Sequence, residues 1–413
     1  MNPSVTEGWG CNAREALENK KQGYKVGFLA GWCGVVRWNG ESMLVLIRNR
    51  ARTFLMLGFP VFFDLLQRLR CVILRERLGL SLKRQPGVSE SGLLYLDRLP
   101  IQHLDIELTN ICNANCIFCG YQYQQRPHAV MENDLFENAV RQFRDMGGKR
   151  LTISPLVGEN LVDRDCLRKL EFSGKMQFDS VTFFTNGILL ERTDIRRLLQ
   201  SGVTTICIST SGFDKEEYER LFRNRAYDKM IRGVGELLNL NRELGNPVNI
   251  SILVRSDMAV GVSLRRHDFL ELIKPYLCSV KTEAGTRSVS INHIMYYDSW
   301  GKMIKRQDLP PGMRIGRSYR DKRVPCHGSL NLKLLHDGKV EVCGCRFSTN
   351  GPADDLYVGD LNSQSLEEIW SSGRVKEFRR RFVSNDINFI CSDCYYYYPV
   401  DLFYRDICMQ IRG

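Results

Sequence analysis

The sequence shows little that we expect to carry the chain out of the cell or through a membrane. Its first 20 residues contain no apolar stretch of the kind that forms the core of a secretion signal. The apolar run at residues 54–63 is ten residues long, whereas a helix that crosses a bilayer needs about 20. Because secretion is not expected, the 15 cysteines predict a reducing cytoplasm, in which thiols bind metals rather than form disulfides.

The chain also lacks the basic and aromatic signature of an RNA-binding module, so no nucleic acid partner is expected. The net charge is +11, and residues 1–100 contribute 15 Lys and Arg against 8 Asp and Glu. Such a surplus suits an anionic membrane surface, a phosphorylated substrate or no specific partner at all. At 413 residues, 43% of them hydrophobic, the chain is long enough to hold more than one domain.

One cysteine-rich loop decides the interpretation. Cys112, Cys116 and Cys119 are spaced x3 then x2, and residues 103–109 before them alternate in polarity as a strand does. Three thiolates at this spacing can bind three corners of an iron–sulfur cubane and leave one iron open, which indicates chemistry rather than electron storage. The alternatives are a zinc loop, for which His128 is the nearby fourth ligand, and a plain electron-transfer protein.

The loop resembles the Cys-x3-Cys-x2-Cys pattern of the radical S-adenosylmethionine (SAM) enzymes. Phe118 supplies the aromatic residue that is usual before the last cysteine, and the resemblance assigns Phe118 to the SAM site. The resemblance implies a [4Fe–4S] cluster whose open iron binds SAM. It further implies that one electron, from a partner such as flavodoxin or ferredoxin, splits SAM into methionine and a 5′-deoxyadenosyl radical that removes hydrogen from an unreactive carbon.

Further stretches resemble the SAM contacts of the same family. Gly158 and Glu159 match half of a Gly-Gly-Glu-Pro stretch that binds the SAM amino group, and a carboxylate suits an ammonium ion. Asn186 belongs to a Thr-Asn-Gly that ends the third strand. Ser209 lies where relatives read Ser-Ile-Asp-Gly, although the acid is absent here. Arg223 is assigned the methionine carboxylate, which a guanidinium can bind with two hydrogen bonds.

Residues 100–300 alternate strand-like and helix-like segments, which predicts an α/β fold with a parallel sheet or barrel. The family resemblance implies a partial (β/α)6 TIM-like barrel, with active residues at the carboxyl ends of the strands. We therefore predict three parts: a mostly helical N-terminal extension over 1–99, the barrel over 100–300, and a small α+β domain over 301–413. The predicted strands are 103–109, 151–156, 181–185, 203–209, 248–254 and 288–294.

A second cysteine set lies in the C-terminal part. Cys326, Cys343, Cys391 and Cys394 flank a hairpin expected to turn at Asp337-Gly338 and a helix opened by a capping box at 365–368. The pattern resembles the SPASM/Twitch auxiliary-cluster domains within the radical SAM family, in a truncated form that implies one further [4Fe–4S] cluster. Cys345 is an alternative to Cys343, and a structural zinc is an alternative to the cluster.

Three substrate classes follow from these patterns. The leading hypothesis is hydrogen abstraction from a small polar metabolite, such as a sugar, an aminocyclitol or a natural-product intermediate, with the auxiliary cluster assisting electron transfer. The second is a peptide-modifying maturase, in which residues 43–47 would form a strand that docks a leader peptide. The third, suggested only by the net charge, is RNA modification.

The basic residues that flank the apolar run at 54–63 suggest a further partner. A helix over 48–77 would place apolar and basic side chains together, as interfacial helices on anionic membranes do. The alternative is a helix that simply packs on the barrel, kinked at Pro60.

Overall fold

A ten-stranded sheet positions the candidate site residues. The computed structural model describes residues 25–26, 37–38, 51–52, 54–84, 87–282, 285–344, 356–387 and 389–404. The strands in these residues are β1 (Lys25–Val26), β2 (Arg37–Trp38), β3 (His103–Ile106), β4 (Arg150–Ile153), β5 (Ser180–Thr185), β6 (Thr205–Thr210), β7 (Asn249–Val254), β8 (Cys278–Thr282), β9 (Gly285–His293), β10 (Tyr296–Tyr297), β11 (Arg314–Ile315), β12 (Asn331–Leu334), β13 (Lys339–Val342) and β14 (Tyr357–Asp360).

Helices fill the connections between the strands. They are α1 (Pro60–Arg84), α2 (Glu90–Asp97), α3 (Asn133–Asp145), α4 (Cys166–Lys175), α5 (Ile195–Gln200), α6 (Lys215–Phe222), α7 (Tyr227–Glu243), α8 (Val260–Ser263), α9 (His267–Leu272), α10 (Leu366–Ser371), α11 (Gly373–Val383), α12 (Phe389–Ser392) and α13 (Val400–Phe403). Short 3-10 helices lie at Gly120–Tyr123, Asn160–Val162, Leu190–Arg192, Lys274–Tyr276, Arg306–Asp308 and His327–Leu330.

Six strands of the main sheet are parallel and form the barrel. In the order β3, β4, β5, β6, β7 and β9, each strand pairs in parallel with the next. This confirms the predicted α/β fold with a partial (β/α)6 barrel. The predicted hairpin is also present, and it extends the same sheet because β12 pairs in parallel with β3. At the opposite edge, β8 pairs antiparallel with β9.

The two faces of this sheet differ in chemistry. One cross-strand row is apolar and buried, for example Ile106, Ile153 and Phe183, and it joins the core formed with the helices. Side chains one position along a strand point the other way. That opposite face carries Asp105, Thr152 and Thr182 in register, so the inside of the barrel is largely polar. The same face continues across the sheet through Thr205, Cys207, Ser209, Ser251, Ser290 and Asn292, with Phe184 and Leu253 as its apolar members.

The described part of the N-terminal extension is largely helical, as predicted. Residues 54–58 are helical, the helix is interrupted at Phe59, and α1 begins at Pro60. Proline suits the first position of a helix because its missing N–H has no partner there. No helix among the described residues is both long and apolar enough to cross a bilayer.

The C-terminal helices follow the predicted capping box with one difference. Ser365 and Glu368 cap α10 reciprocally, through the Ser365 hydroxyl and the Glu368 carboxylate. The capping box predicts the start of one helix, but the structure has two in this segment. Ser372 ends α10 and caps α11 by accepting a hydrogen bond from the Val375 amide, because serine competes well for such amides.

A buried ion pair fastens α11 to the N-terminal extension. Arg379 is fully buried, and its Nη1 lies 2.8 Å from Asp97 Oδ1 at the end of α2. Its Nε donates to the Ser329 carbonyl oxygen at 3.2 Å, and the guanidinium lies 4.6 Å from the Trp370 ring centre. Removal of one partner of such a pair leaves a buried charge without compensation.

We predict that Asp97→Ala lowers the free energy of unfolding by about 3–5 kcal/mol, because the Arg379 charge stays buried without its carboxylate. Urea titration followed by circular dichroism measures the change. The matched control is Arg380→Ala, because Arg380 is 45% exposed and lies 3.4 Å from the same carboxylate. That control should cost at most about 1 kcal/mol. Equal effects of the two variants would contradict the prediction.

Candidate functional site

The cluster loop, residues 112–119, follows β3 and is held by the end of α6. The Asn115 amide donates to the Phe222 carbonyl oxygen at 3.2 Å, and the Ile117 amide donates to that of Leu221 at 3.0 Å. These bonds fix the loop at the carboxyl ends of the barrel strands, where the fold predicts active residues.

The three cysteines of the loop lie together and half-buried. Burial raises the pKa of Cys112 to about 12, and nearby Glu159 adds to the rise. Burial also raises the pKa of Cys116 well above its usual value, and the other two sulfurs add to it. Backbone amides donate to two of the sulfurs, Ala114 N–H to Cys112 and Tyr121 N–H to Cys119, each at 3.4 Å. Converging thiols with amide donors fit an iron–sulfur cluster, whose positive irons would offset the thiolate charges.

The zinc alternative for this loop depended on His128. In the structure His128 is exposed, and its ring stacks on Tyr121 at 6.1 Å. Among the residues described, no three side chains of His, Cys, Asp or Glu are arranged to hold a single metal ion. A cubane differs from such a site because each thiolate binds a separate corner.

Gly158 and Glu159 lie against the residues just before the cluster loop. Gly158 has φ +152°, and a Cβ there would lie 2.4 Å from the Thr109 carbonyl oxygen, so the position needs glycine for packing. Glu159 is 2% exposed. Its carboxylate accepts hydrogen bonds from the Thr185 hydroxyl at 2.7 Å and the Asn186 amide at 2.6 Å. Burial raises the Glu159 pKa, and these donors oppose the rise.

Asn186 ties the end of β5 to the cluster loop. Its Nδ2 donates to Asn113 Oδ1 at 2.7 Å and approaches the Cys112 sulfur at 4.0 Å. The following Gly187 has φ +77°, which allows the tight turn after the strand. The structure therefore brings Asn186 and Glu159 beside Cys112.

Ser209 and Phe118 lie on different parts of the site. Ser209 is half-buried on the polar inner face, near the carboxyl end of β6. Phe118 is buried between aromatic rings, 5.3 Å from that of Phe222 and 5.4 Å from that of Tyr297. The Arg255 guanidinium lies 5.3 Å from the centre of the Phe118 ring. Phe118 thus supports the loop and carries a cation on its face.

Two arginines differ in how they relate to the cluster loop. Arg223 is exposed with φ +50° at the end of α6, and its Nη1 donates to Gln122 Oε1 at 3.2 Å. Arg255, directly after β7, is half-buried, and its charge lowers the pKa of Cys116 and Cys119 against the effect of burial. No sequence motif indicates Arg255. Its signal was a lone cation directly after a buried strand.

The structure brings the auxiliary set, Cys326, Cys343, Cys391 and Cys394, together. The pKa of Cys391 is raised well above its usual value, first by burial and then by the other three sulfurs. A Cβ at Gly328 would lie 2.8 Å from the Cys343 sulfur, so that glycine leaves the sulfur its space. The alternative ligand Cys345 lies outside the described residues.

A buried lysine accompanies the auxiliary set. Lys322 is fully buried, and its ammonium donates to the carbonyl oxygens of Cys391 and Ser392. Its charge favours the thiolate forms of Cys326 and Cys391. Such a cation suits a cluster bound by four thiolates.

A loop after β10 joins the two cysteine sets. The Ser299 hydroxyl donates to Asp393 at 2.6 Å, next to one auxiliary cysteine. The Trp300 indole N–H donates to the Phe118 carbonyl oxygen at 3.3 Å, inside the cluster loop. Trp300 and Lys302 have φ +52° and +69°, a conformation that surrounding contacts must impose on residues with side chains.

Glu107, which the sequence patterns did not single out, connects four segments near the cluster loop. Arg126 donates to both of its oxygens, at 2.6 and 2.9 Å. His336 Nδ1 lies 2.9 Å from Oε1, and the Leu156 amide donates to Oε2 at 3.1 Å. Full burial by itself would raise the pKa of Glu107, but the hydrogen bonds from His336 and Arg126 outweigh it and lower the pKa to about 2. The one sequence signal was an acid inside a strand that leads to the cysteines.

We predict that Glu107→Gln lowers the free energy of unfolding at neutral pH by about 3 kcal/mol. This is the free energy that corresponds to a carboxyl pKa lowered from 4.5 to about 2. A carboxyl with a lowered folded pKa stabilises the fold above its unfolded pKa of 4.5 and loses that contribution as pH falls towards 2. Urea unfolding at a series of pH values should therefore show a flatter acid slope for Glu107→Gln. Glu137→Gln, at a more exposed pair with Arg141, is the control, and an unchanged acid slope in Glu107→Gln would refute the assignment.

Comparisons with known proteins agree with this geometry. The model of the radical SAM superfamily matches residues 106–255, and the model of an iron–sulfur cluster-binding domain, SPASM, matches residues 326–395. A relative from Thermoplasma volcanium, named probable GTP 3′,8-cyclase, is 22% identical over 306 residues, which is 66% of this chain and 91% of the relative.

Solved structures with a similar fold include two that cover most of the chain. BtrN in complex with AdoMet and 2-DOIA has a TM-score of 0.46 at 14% identity, over 72% of this chain and 94% of BtrN. Streptococcus suis SuiB bound to the precursor peptide SuiA has a TM-score of 0.46 at 14% identity, over 81% of this chain and 78% of SuiB. The two family models and the cysteine sets within their limits show that the chain contains a radical SAM superfamily domain and a SPASM iron–sulfur cluster-binding domain.

Proposed function

We propose that this radical SAM enzyme abstracts hydrogen from a small polar metabolite, such as a sugar, an aminocyclitol or a natural-product intermediate. The observation that carries the proposal is the polar inner face of the barrel, which leads to the cluster loop. Most of its side chains are uncharged hydrogen-bonding groups, among them Thr152, Ser251 and Asn292, and Phe184 and Leu253 are its apolar members. Asn292 Nδ2 donates to the Ser251 hydroxyl at 2.7 Å, which shows how this face orients its groups. Hydroxyls and amides of this kind suit a polyol or a nucleoside.

We assign the cluster-loop cysteines to the SAM-binding [4Fe–4S] cluster and the auxiliary set to a second one. When bound, the first cluster supplies the electron that splits SAM into methionine and a 5′-deoxyadenosyl radical. Around it, Glu159 has a carboxylate for the SAM amino group, and Asn186 holds the loop beside that carboxylate. Gly158 lets the backbone of this segment lie close. Ser209 offers a hydroxyl from the inner face.

We propose Arg255 rather than Arg223 for the methionine carboxylate. Arg255 is half-buried beside the cluster loop and acts electrostatically on two of its cysteines, whereas Arg223 is exposed and bonded to Gln122. A guanidinium that faces a partly closed site binds a carboxylate more strongly than one in water.

The auxiliary set, in this proposal, carries an electron to or from the substrate radical, with flavodoxin or ferredoxin as the external reductant. The contacts of Ser299 and Trp300 support it, because they connect the two cysteine sets through hydrogen bonds of 2.6 and 3.3 Å. The relatives named probable GTP 3′,8-cyclase support a small polar substrate and add a nucleotide to the candidates.

The two other substrate classes have weaker support. The leader-docking strand of the maturase hypothesis, residues 43–47, lies outside the described residues. For RNA modification, the aromatic run 395–398 would have to expose stacking rings. Tyr395 is 7% and Tyr397 3% exposed, and Tyr396 and Tyr398 are half-buried, so none of the four rings is fully exposed for stacking.

Metal analysis tests the two-cluster assignment. Anaerobically prepared protein should contain about eight iron atoms and eight sulfides per chain, two cubanes, and no zinc. Cys391→Ser combined with Cys394→Ser should reduce the iron to about four, because the auxiliary set loses half its ligands. Cys207→Ser, a buried thiol on the inner face, is the control and should keep the full count. Zinc in place of the second cluster would refute the redox role of the auxiliary set.

Hydrogen transfer tests the substrate class. Deuterated sugars, aminocyclitols and GTP, each incubated with SAM and a reductant, should be compared for deuterium that appears in 5′-deoxyadenosine by mass spectrometry. We expect transfer from a member of this panel. Deuterium transfer from a peptide instead of the panel would overturn the small-metabolite assignment.

SAM binding by a variant tests the role of Arg255. Arg255→Met should weaken SAM binding, measured by equilibrium dialysis, on the order of tenfold through loss of one charged hydrogen-bonding group. Arg223→Met is the matched control.

A further inference from the structure

Helix α1 carries apolar residues on two opposite sides. Phe63, Cys71 and Leu82 are buried against the rest of the chain and form its inner stripe. A second stripe faces away from the protein. This outer stripe consists of Phe62, Leu65, Leu66, Leu69, Val72, Ile73 and Leu80, each at least 39% exposed. Spacings of three, four and seven residues place these side chains along one face of a helix.

Exposed apolar residues are concentrated on this helix and the turn before it. Of the 15 large hydrophobic residues exposed in the described part of the chain, 11 lie between Phe54 and Leu80. Single exposed leucines are normal on protein surfaces, but a concentration of exposed apolar residues on one helix face marks an interaction surface. At about 1.5 Å per residue, α1 is roughly 37 Å long, so the outer stripe is a long, narrow contact face.

The charge of α1 indicates which partner fits that face. The helix contains six basic residues and two acidic ones. One of the acids, exposed Glu76, lies on the face of the outer stripe between Ile73 and Leu80. Arg70, Arg77 and Lys83 are exposed around the outer stripe, and the whole chain carries a charge of +11. Two copies that met through this stripe in two-fold symmetry would bring their own basic residues together, which opposes self-association.

We propose that the outer stripe of α1 rests on the surface of an anionic phospholipid membrane. The helix would lie in the plane of the interface, with its leucines and phenylalanines among the acyl chains and its arginines and lysines at the phosphate groups. The inner stripe holds α1 on the barrel, so the two sequence alternatives, a membrane helix and a packed helix, describe opposite sides of one element. This inference is independent of the reaction that the enzyme performs.

Flotation of the full-length protein with vesicles tests the proposal. Vesicles of equimolar phosphatidylcholine and phosphatidylglycerol should bind the protein, and vesicles of phosphatidylcholine alone should bind it much more weakly. Leu65→Glu combined with Leu69→Glu should abolish flotation. Arg70→Gln combined with Arg77→Gln should weaken binding to the anionic vesicles on the order of 30-fold, from the loss of two basic residues at the surface.

Leu94→Glu is the matched control, because Leu94 is a 49% exposed leucine on α2, outside the stripe. It should bind anionic vesicles as the unmodified chain does, and circular dichroism should show that every variant is folded. Absence of binding to anionic vesicles, equal binding to neutral ones, or binding that survives the two glutamates would each overturn the proposal. A concentration-dependent dimer in light scattering, lost in the double glutamate variant, would assign the face to a second copy instead.

Discussion

The carboxylate of Glu107 is the contact on which the arrangement of the site depends. It is fully buried at the end of the strand that enters the cluster loop, and it accepts hydrogen bonds from Arg126, His336 and the Leu156 amide. Those partners belong to the segment after the loop, to the C-terminal hairpin and to the turn after β4. A charge without water is stable only when its partners are fixed, so Glu107 forces the three segments into one geometry.

The main sheet serves two purposes, one on each face. The outer face carries rows of isoleucine, leucine and phenylalanine, which pack against the helices and supply the hydrophobic stabilisation. The inner face carries mostly hydrogen-bonding side chains. Because strand side chains alternate, both functions are encoded in the same short segments, such as β6, where Ile206 and Ile208 alternate with Cys207 and Ser209.

Local patterns in the sequence predicted the barrel strands, the hairpin turn and the capping box at Ser365, because each depends on neighbouring residues. The cysteine sets were also recognisable, since their spacing is local. Arg255, Glu107 and Lys322 were not, because their partners come from distant segments and meet only in the folded chain. The same reason explains the extra neighbour of β3. No local feature of residues 331–334 says that this strand pairs with one from the other end of the domain.

The pairing of β12 with β3 has a consequence for the order in which the protein is made. Glu107 and His336 are 229 positions apart in the sequence, and β3 gains its second neighbour only from that late hairpin. During synthesis the edge of β3 therefore stays unpaired while most of the barrel leaves the ribosome, and such an edge can pair with other chains. Contacts this distant slow folding. A newly made chain is thus exposed to aggregation until its last fifth, which begins with β12, has been made. A chaperone that shields a strand edge should therefore raise the yield of folded protein.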